Sequence, residues 1–531
     1  MPQDQVGRAE RATMSLPAAA RAHLAAGRPA PALGILVEHL ARDPSDAVAW
    51  DAAAEALLSM RKPEDAVAAA RQAFDRAGTA DAAALVAVAL AHSGRTADAG
   101  ALLDAVLAEP PDAARGWERI ARAFEALGEP ARGIEARIEA RRRAPDDAGV
   151  ALRLAERLEH ADRRDESRAT SAGRGAAADR LRVRLDHHDG AFDAAAARAE
   201  ALLADPTGAD GVRQSLWMEL ARIEAKRGRP AAAFAAATRG NALALAAWIA
   251  DGGDPDRLPR TLDRLAAAPR PPLPPPSAAE PPRVAFVVGF PRSGTTLVQQ
   301  ILDAHPGTQC LEELPLLDGA LGEVLPTADL ADALARVADP SVASAVRGAY
   351  LRRVRARIPV DDRLVIDKLP LNLLRVELIA RVFPGAPIVA VVRDPRDAVL
   401  SAFLQDFELN VAMAQCADLE RCARLYARAF DGWLRARTTL PRAVELRYEG
   451  LVTDPAPTLA PVLATLGLPW DDRVLDHRAV AGRSGIGTPS YREVRKPLHA
   501  GNVARWRAFA TELAPALPIL APYAEALGYP A

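Results

Sequence analysis

Residues 289–296, which read GFPRSGTT, combine two glycines with small hydroxyl side chains directly after a valine-rich run that ends at Val288. A buried strand, such a loop and a helix starting near Thr296 would gather backbone N–H groups around an anion. Gly289 and Gly294 have the spacing of a Walker A loop, but Thr295 stands where that motif requires lysine. An ATPase or kinase needs that lysine on its β- and γ-phosphates, with Mg²⁺ beside it. The loop therefore suits a 5′-phosphate better than the hydrolysis of a triphosphate.

A second pair of candidate anion ligands follows another apolar run. Arg393 comes directly after residues 388–392, and Ser401 stands eight positions later. Alone, the arginine could pair with a carboxylate and the serine could be an ordinary polar helix position. Together with PRSGTT, however, they resemble the two-part signature of sulfotransferases that use 3′-phosphoadenosine 5′-phosphosulfate (PAPS). The resemblance implies that Arg393 and Ser401 hold the 3′-phosphate, and that the 5′-phosphosulfate is held by Arg292, Ser293, Gly294, Thr295 and Thr296.

The resemblance is closest to the tyrosylprotein sulfotransferases, and to uncharacterised proteins that join tetratricopeptide repeats to such a domain. It covers nearly all of residues 283–510, with VIDKLP, LRYEGLV and TPSYREVRKPLHAGNVARW as further matching segments. It implies that Tyr448 lies near the adenosine and that a C-terminal loop with Ser490 at its head and Arg505 near its end covers the cofactor. The catalytic residues that it implies are Glu313, Lys368, Arg292 and Ser490.

Sulfuryl transfer requires in-line positioning and charge stabilisation, a base for the acceptor hydroxyl and a cation for the leaving oxygen. Glu313 is the candidate base, with the adjacent Glu312 as the alternative. A carboxylate with a pKa of about 4 is a weak base, so we expect burial to raise that pKa or the base to act late. Arg292 and Lys368 would neutralise the developing oxygen charges, and Ser490 would add a hydrogen bond.

Two departures from the family pattern concern the cofactor and the acceptor. Gln405 stands where the tyrosylprotein enzymes have a cofactor-contacting arginine, four positions after the serine. Residues 314–317 read Leu-Pro-Leu-Leu where those enzymes place arginines that read acidic peptides. The cofactor and the chemistry are therefore expected to carry over, whereas a tyrosine in an acidic peptide does not follow as the acceptor. A protein tyrosine, a glycan, a lipid and a small phenol all stay open.

The elements that must position these residues begin near Arg283. Helical stretches separate four valine- or isoleucine-containing runs, at residues 284–288, 364–366, 388–392 and 444–446. This alternation predicts a P-loop-like α/β sulfotransferase domain with a parallel sheet over residues 283–531. Before it, the sequence PRPPLPPPSAAEPP at 269–282 predicts an extended, semi-rigid linker.

Residues 15–250 are rich in alanine and leucine and have a period of about 34 residues, which resembles the tetratricopeptide repeat. A turn residue comes first and a small residue follows five positions later. The proposed units begin at Gly27, Arg61, Gly94, Gly128, Asp189 and Gly228. The stretch from Asp162 to Arg180 fits least well. The prediction is an all-helical solenoid that would bring a protein or peptide acceptor to the transferase domain.

Composition restricts the alternatives. At 531 residues the chain should form at least two domains, and its net charge of −2 gives no general field for nucleic acid. The three cysteines have no disulfide or zinc spacing, and neither a signal peptide nor a membrane span is evident, so a cytoplasmic location is expected.

No metal is expected, since histidines, cysteines and carboxylates show no ligand spacing. We assign His305 and His499 structural or cofactor-side roles. The alternative functions are a P-loop NTPase or kinase, and a repeat scaffold with an inactive transferase domain.

Overall fold

The chain forms two compact units, residues 1–185 and residues 186–531. The computed structural model describes residues 16–171, 175–205, 207–270, 273, 283–311, 313–358, 361–476 and 498–530. All the strands in these ranges belong to the second unit, which also includes the last helices before the Pro-rich stretch. That stretch, at 269–282, lies mostly outside the described residues.

Before the first strand, the described residues form helices joined by turns and short connecting segments. The helices are α1 (Ala18–Ala25), α2 (Pro29–Arg42), α3 (Ala47–Ser59), α4 (Pro63–Ala77), α5 (Ala80–His92), α6 (Thr96–Ala108), α7 (Ala114–Ala126), α8 (Pro130–Arg143), α9 (Ala148–His160), α10 (Arg164–Thr170), α11 (Ala176–His188), α12 (Phe192–Leu203), α13 (Asp210–Lys226), α14 (Pro230–Ala250) and α15 (Arg257–Ala267). Short turns join successive helices, and within each unit most neighbouring helices in the chain pack against each other as in a repeat solenoid.

The turn residues of the repeats have the conformation that their role requires. Five of the six predicted turn residues have a positive φ, between 56° and 81°: Gly27, Arg61, Gly94, Gly128 and Gly228. The small residue five positions later is buried in each of these units. At Gly133, for example, a Cβ atom would lie 3.2 Å from the Ala121 carbonyl oxygen, so the small residue allows paired helices to approach closely.

Two of the helical repeats differ from the sequence prediction. The unit assigned to Asp189 and Ala194 begins one residue later, because Gly190 has the positive φ and Ala195 is the fully buried small residue. The stretch after Asp162, where the sequence pattern fits least well, also has the turn and the buried small residue of a repeat. Asp162 has a φ of 61°, and the buried Ser167 occupies the small position while its hydroxyl donates to the Ala155 carbonyl at 2.7 Å. A polar residue at that position weakened the pattern.

A five-stranded parallel sheet forms the centre of the second unit. Its strands are β1 (Val284–Gly289), β2 (Thr308–Leu311), β3 (Leu364–Lys368), β4 (Ile388–Val392) and β5 (Ala443–Arg447), in the order β2-β3-β1-β4-β5. The apolar runs correctly predicted four of these strands. The sequence did not predict β2, since Thr-Gln-Cys-Leu at the sheet edge is short and polar. The order reverses on either side of β1, which creates a crevice at the carboxyl ends of the strands.

Helices cover both faces of this sheet. They are α16 (Thr295–Asp303), α17 (Leu316–Val324), α18 (Leu330–Arg336), α19 (Pro340–Arg355), α20 (Val376–Val382), α21 (Pro395–Phe403), α22 (Leu419–Ala436), α23 (Tyr448–Thr453), α24 (Pro455–Leu466), α25 (Ala510–Leu513) and α26 (Leu517–Ala526). Short 3₁₀ helices, among them Arg505–Phe509, link some of them. One core cluster joins Val287, Val389 and Val391 of the strands to Ile301 of α16 and Leu463 of α24.

Within the second unit, α13 and α14 pack against the end of α21. The buried Asn241 side-chain amide donates to the Phe403 carbonyl oxygen at 2.9 Å, and the Phe234 and Phe403 rings stack with centroids 4.7 Å apart. The Gln214 amide donates to Asp406 at 2.7 Å. The last predicted helical repeat is therefore in direct contact with the helix that carries Ser401. Among the helices that the structure describes, none is long and apolar enough to cross a lipid bilayer.

Candidate active site

All five strands deliver a sequence-predicted residue to the same edge of the sheet. Because parallel strands are aligned, the residues at or just beyond their carboxyl ends meet there. In sheet order these are Glu313 after β2, Lys368 at the end of β3, the loop 290–294 after β1, Arg393 after β4 and Tyr448 after β5. The sheet therefore gathers the predicted residues at the crevice.

The loop after β1 has the geometry of an anion-binding turn. Gly294 has a φ of +96°, and a Cβ atom there would lie 2.6 Å from the Tyr448 ring, so only glycine fits this position. The Ser293 side chain is fully buried, and its Oγ has no hydrogen-bond partner in the described part of the chain. A buried hydroxyl without a partner is destabilising, and a phosphate oxygen would satisfy it.

Helix α16 begins at Thr295, one residue earlier than the sequence predicts. Thr295 and Thr296 form its first turn and are 3% and 6% exposed. The backbone N–H groups of a first helical turn carry a partial positive charge and have no partner within the helix. The loop and this turn together therefore fit a 5′-phosphate group.

Arg393 and Ser401 lie beside this loop although they are about a hundred residues away in the sequence. The Arg292 Nε–H donates to the Ser401 hydroxyl at 3.4 Å, and Arg393 donates to the Arg292 carbonyl oxygen at 2.9 Å. The Arg393 guanidinium is 4.8 Å from the centre of the Tyr448 ring, and its Nε lacks a partner among the described residues. The two halves of the predicted cofactor signature thus meet in one place.

Lys368 and Glu313 form an ion pair at the other side of β1. The Lys368 Nζ donates to Glu313 Oε1 at 2.5 Å. The lysine side chain is fully buried, whereas the Glu313 side chain is 35% exposed. A buried ammonium group requires a counterion, so this pair fixes both side chains. The alternative base Glu312 and the predicted Ser490 lie outside the described residues.

Two buried carboxylates near these residues were not predicted as part of the site. Asp367, next to Lys368, accepts a hydrogen bond from the Tyr350 hydroxyl at 2.7 Å, and burial raises its pKa to about 6. Asp397 accepts the Trp506 N–H at 2.7 Å, and burial raises its pKa to about 6 as well. A signal for Asp397 was present in the sequence, since it stands four positions before Ser401 on the same helix.

The remaining predicted positions have local contacts. Arg505 opens the 3₁₀ helix 505–509, and its guanidinium lies 5.7 Å from the centre of the Phe509 ring. The Gln405 amide donates to the Asp406 carbonyl at 3.2 Å. The His305 ring contacts the Pro469 carbonyl and the Gly307 N–H, both at 3.0 Å, which agrees with a structural role. His499 Nδ1 accepts the Gly501 N–H at 3.2 Å.

One cluster of side chains contradicts the expectation that no histidines, cysteines or carboxylates have metal-ligand spacing. In the first unit, ligand atoms of His39, Asp43 and Asp46 lie within 4.8 Å of one another. These carboxylates already have local partners: Asp46 caps α3 through the Val48 and Ala49 N–H groups, and Asp43 accepts from Ser45. The turn between α2 and α3 brings the three together, which the sequence pattern did not reveal.

Residues 284–472 match the model of the sulfotransferase family. The chain therefore carries a sulfotransferase-family domain in its C-terminal unit, with homology to protein-tyrosine sulfotransferases. It is 27% identical to protein-tyrosine sulfotransferase 1 of Danio rerio over 260 residues, which are 46% of this chain and 71% of that protein. An uncharacterized protein of Aquifex aeolicus (strain VF5) is 29% identical over 252 residues, 45% of this chain and 32% of that protein.

Among solved structures, the sulfotransferase domain of the Synechococcus PCC 7002 olefin synthase is 22% identical, with a TM-score of 0.34. That alignment covers 48% of this chain and 98% of the other. The chain spans about a third of the length of the Aquifex relative. The family and its tyrosine-sulfotransferase homologues support sulfuryl transfer as the reaction of the domain.

Proposed function

We propose that the C-terminal domain transfers the sulfuryl group of PAPS to an acceptor hydroxyl. The observation that carries this proposal is the meeting of two anion sites, the loop with the buried Ser293 hydroxyl and the Arg393/Ser401 pair. PAPS has two phosphate positions, and a 3′-phosphate site beside a 5′-phosphate site matches both. The residues assigned to the 5′-phosphosulfate are Arg292, Ser293, Gly294, Thr295 and Thr296, with Arg393 and Ser401 on the 3′-phosphate and Tyr448, Arg505 and Ser490 at the adenosine side.

In the proposed reaction the acceptor oxygen forms a bond to sulfur while the bond from sulfur to the 5′-phosphate oxygen breaks. Glu313 takes the proton of the acceptor hydroxyl, and its partly exposed carboxylate leaves room for an acceptor to approach. Arg292 and Lys368 stabilise the negative charge that develops on the transferred group and on the leaving oxygen. We assign Ser490 a hydrogen bond in the same step.

The runner-up function is a P-loop NTPase or kinase. Thr295 argues against it, because the phosphate lysine of those enzymes is missing from the loop. Lys368 does not replace it in its present geometry, since its ammonium group is bonded to Glu313. A repeat scaffold with an inactive transferase domain is the third alternative, and turnover of PAPS separates it from the enzyme.

For the helical region we propose tetratricopeptide repeats that deliver a polypeptide acceptor to the transferase domain. A protein tyrosine is one candidate for the acceptor group. The turn conformations and buried small residues of successive helix pairs support this assignment. We also propose a cytoplasmic location, since Cys310, Cys416 and Cys422 are all free thiols, as expected in a reducing compartment.

Thermal melting with nucleotides tests the donor assignment. At one hundred times its Kd, 3′-phosphoadenosine 5′-phosphate (PAP) should stabilise the fold by roughly 2.7 kcal/mol. ATP with Mg²⁺ should stabilise it less. A melting curve that PAP leaves unchanged, but that ATP with Mg²⁺ raises, would reject the sulfotransferase in favour of the NTPase.

A further inference from the structure

The Asp397 carboxylate is buried where helix α21 meets residues 502–506. It is 1% exposed, and its Oδ1 accepts the backbone N–H of Trp506 at 2.7 Å. The Ala504 N–H also bonds to this carboxylate. The other oxygen, Oδ2, has no hydrogen-bond partner within the described ranges. Burying a carboxylate with incomplete pairing is costly, so the two backbone contacts must offset part of that cost.

The segment 502–506 is also bound by two other residues of the same region. Arg393 donates to the Asn502 carbonyl oxygen at 2.6 Å, and the Arg396 guanidinium lies 3.9 Å from the centre of the Trp506 ring. Ala504, between them, has a φ of 56°, which is unfavourable for a residue with a side chain. A strained segment of this kind keeps its conformation only if neighbouring contacts hold it.

Arg393 depends on this segment for its own position. Its guanidinium lies between two carbonyl oxygens, that of Arg292 at 2.9 Å and that of Asn502 at 2.6 Å. Asp397 lies in the first turn of α21, one helical turn before Ser401, and the Arg393 guanidinium just before the helix faces its carboxylate. Loss of the Asp397 contacts would release residues 504–506, and with them the Asn502 carbonyl that orients Arg393.

We propose that Asp397 is a positioning residue for the 3′-phosphate: it anchors residues 504–506 on α21 and thereby holds Arg393 in its binding orientation. This inference rests on the proposed use of PAPS. The groups that face Asp397 are the Arg393 guanidinium and the Asp394 carboxylate, together with the Trp506 and Ala504 N–H groups. Its pKa of about 6 leaves the carboxylate mainly ionised at pH 7.5, the form that accepts these hydrogen bonds best.

Calorimetry on the full chain with two nucleotides tests this role. PAP and AMP share the nucleoside and the 5′-phosphate, and only PAP has the 3′-phosphate. Asp397→Ala should weaken PAP binding by about 10- to 100-fold, the range expected for one lost hydrogen bond to a charged group. AMP binding should change by less than about twofold. In turnover, KM for PAPS should rise while kcat at saturating PAPS changes much less.

Asp397→Asn serves as the rescue variant, because its side-chain oxygen can still accept the Trp506 N–H. It should restore most of the PAP affinity. If the alanine variant does not fold, Asp397→Ser, whose hydroxyl is too short to replace the carboxylate, takes its place. Equal losses for PAP and AMP, or unchanged PAP affinity, would overturn the positioning role. A wild-type protein that does not prefer PAP to AMP would instead overturn the proposed donor site itself.

Discussion

The Lys368 ammonium group lies 2.5 Å from the Glu313 carboxylate, across 55 positions of sequence. The two residues extend from the ends of neighbouring strands, β3 and β2, and one is fully buried while the other is partly exposed. This asymmetry places the buried charge inside the domain and the proposed proton acceptor toward the solvent. It also allows the contributions of the two residues to stability and to catalysis to be separated.

Glu313→Gln keeps the shape of the side chain but removes the carboxylate that we propose as the proton acceptor. We expect kcat to fall by roughly 10²- to 10⁴-fold, the usual contribution of a general base. PAP affinity should change little, because Glu313 is assigned to the acceptor and not to the phosphates. Steady-state kinetics and calorimetry measure the two effects. Glu312→Gln is the matched control, and a large loss there with a near-normal Glu313→Gln would move the base to Glu312.

Lys368→Met should also lower kcat, because it removes charge stabilisation from the transition state. Its effect on stability should be smaller than that of Glu313→Gln. The methionine fills the buried site with an apolar chain and leaves a carboxylate that water can reach, whereas the glutamine removes the negative charge of the Glu313 ion pair from a fully buried ammonium group. Denaturant unfolding at pH 7 should separate the two variants by roughly 1–3 kcal/mol. The reverse order would show that the lysine is not held mainly by this pair.

Arg393→Ala should weaken PAP binding much more than binding of adenosine 5′-phosphosulfate, which lacks the 3′-phosphate. A charge-assisted hydrogen bond of this kind typically contributes about 1.5–3 kcal/mol. Calorimetric titration of both nucleotides provides the comparison. Equal losses for the two would indicate that the arginine mainly supports the loop, through its bond to the Arg292 carbonyl.

Asp367→Asn should change how stability depends on pH. Burial raises the pKa of Asp367 to about 6 in the folded state, above the unfolded value, so the folded protein holds an extra proton between about pH 4 and 6. The wild type therefore loses stability relative to the variant as pH rises through this range. Between pH 5 and pH 7.5 the difference in unfolding free energy should move by roughly 1.4 kcal/mol in favour of Asp367→Asn. A difference that stays constant over this range would mean that the carboxyl titrates normally.

Asn241→Ala should destabilise the second unit, because it leaves the Phe403 carbonyl at the end of α21 without its side-chain donor. We expect a loss of about 1–2 kcal/mol in thermal or denaturant unfolding. Thr238→Ala, on the exposed side of the same helix, is the control and should be close to neutral.

A fragment starting near Gly190 should bind PAP, whereas one starting at Arg283 loses α12–α15 and exposes the Phe403 ring. Full PAP affinity in the shorter fragment would show that these helices are not needed for the site.

The sequence alone determined the local features of this protein. Valine-rich runs predicted four strands, glycine and small residues at fixed spacing predicted most helix pairs, and PRSGTT with Arg393 and Ser401 predicted a sulfotransferase domain, which the family match confirms. Each strand, turn and loop motif lies within a short stretch of chain, and the two distant halves of the cofactor signature were joined by their resemblance to the family. Residues that set backbone conformation, such as Gly294 in its left-handed turn, affect the chain next to them in sequence. Their structural role can therefore be predicted without knowing the fold.

Only the tertiary structure decided which side chains share a charge or a hydrogen bond. Strand β2 is too polar to predict, and it depends on β3 for its pairing. The bonds from Lys368 to Glu313 and from Trp506 to Asp397 join positions 55 and 109 residues apart. The raised pKa values of Asp367 and Asp397 likewise result from burial by elements distant in sequence. Sequence periodicity reports which face of an element is buried, but the partner that covers it is fixed only when the strands and helices pack together.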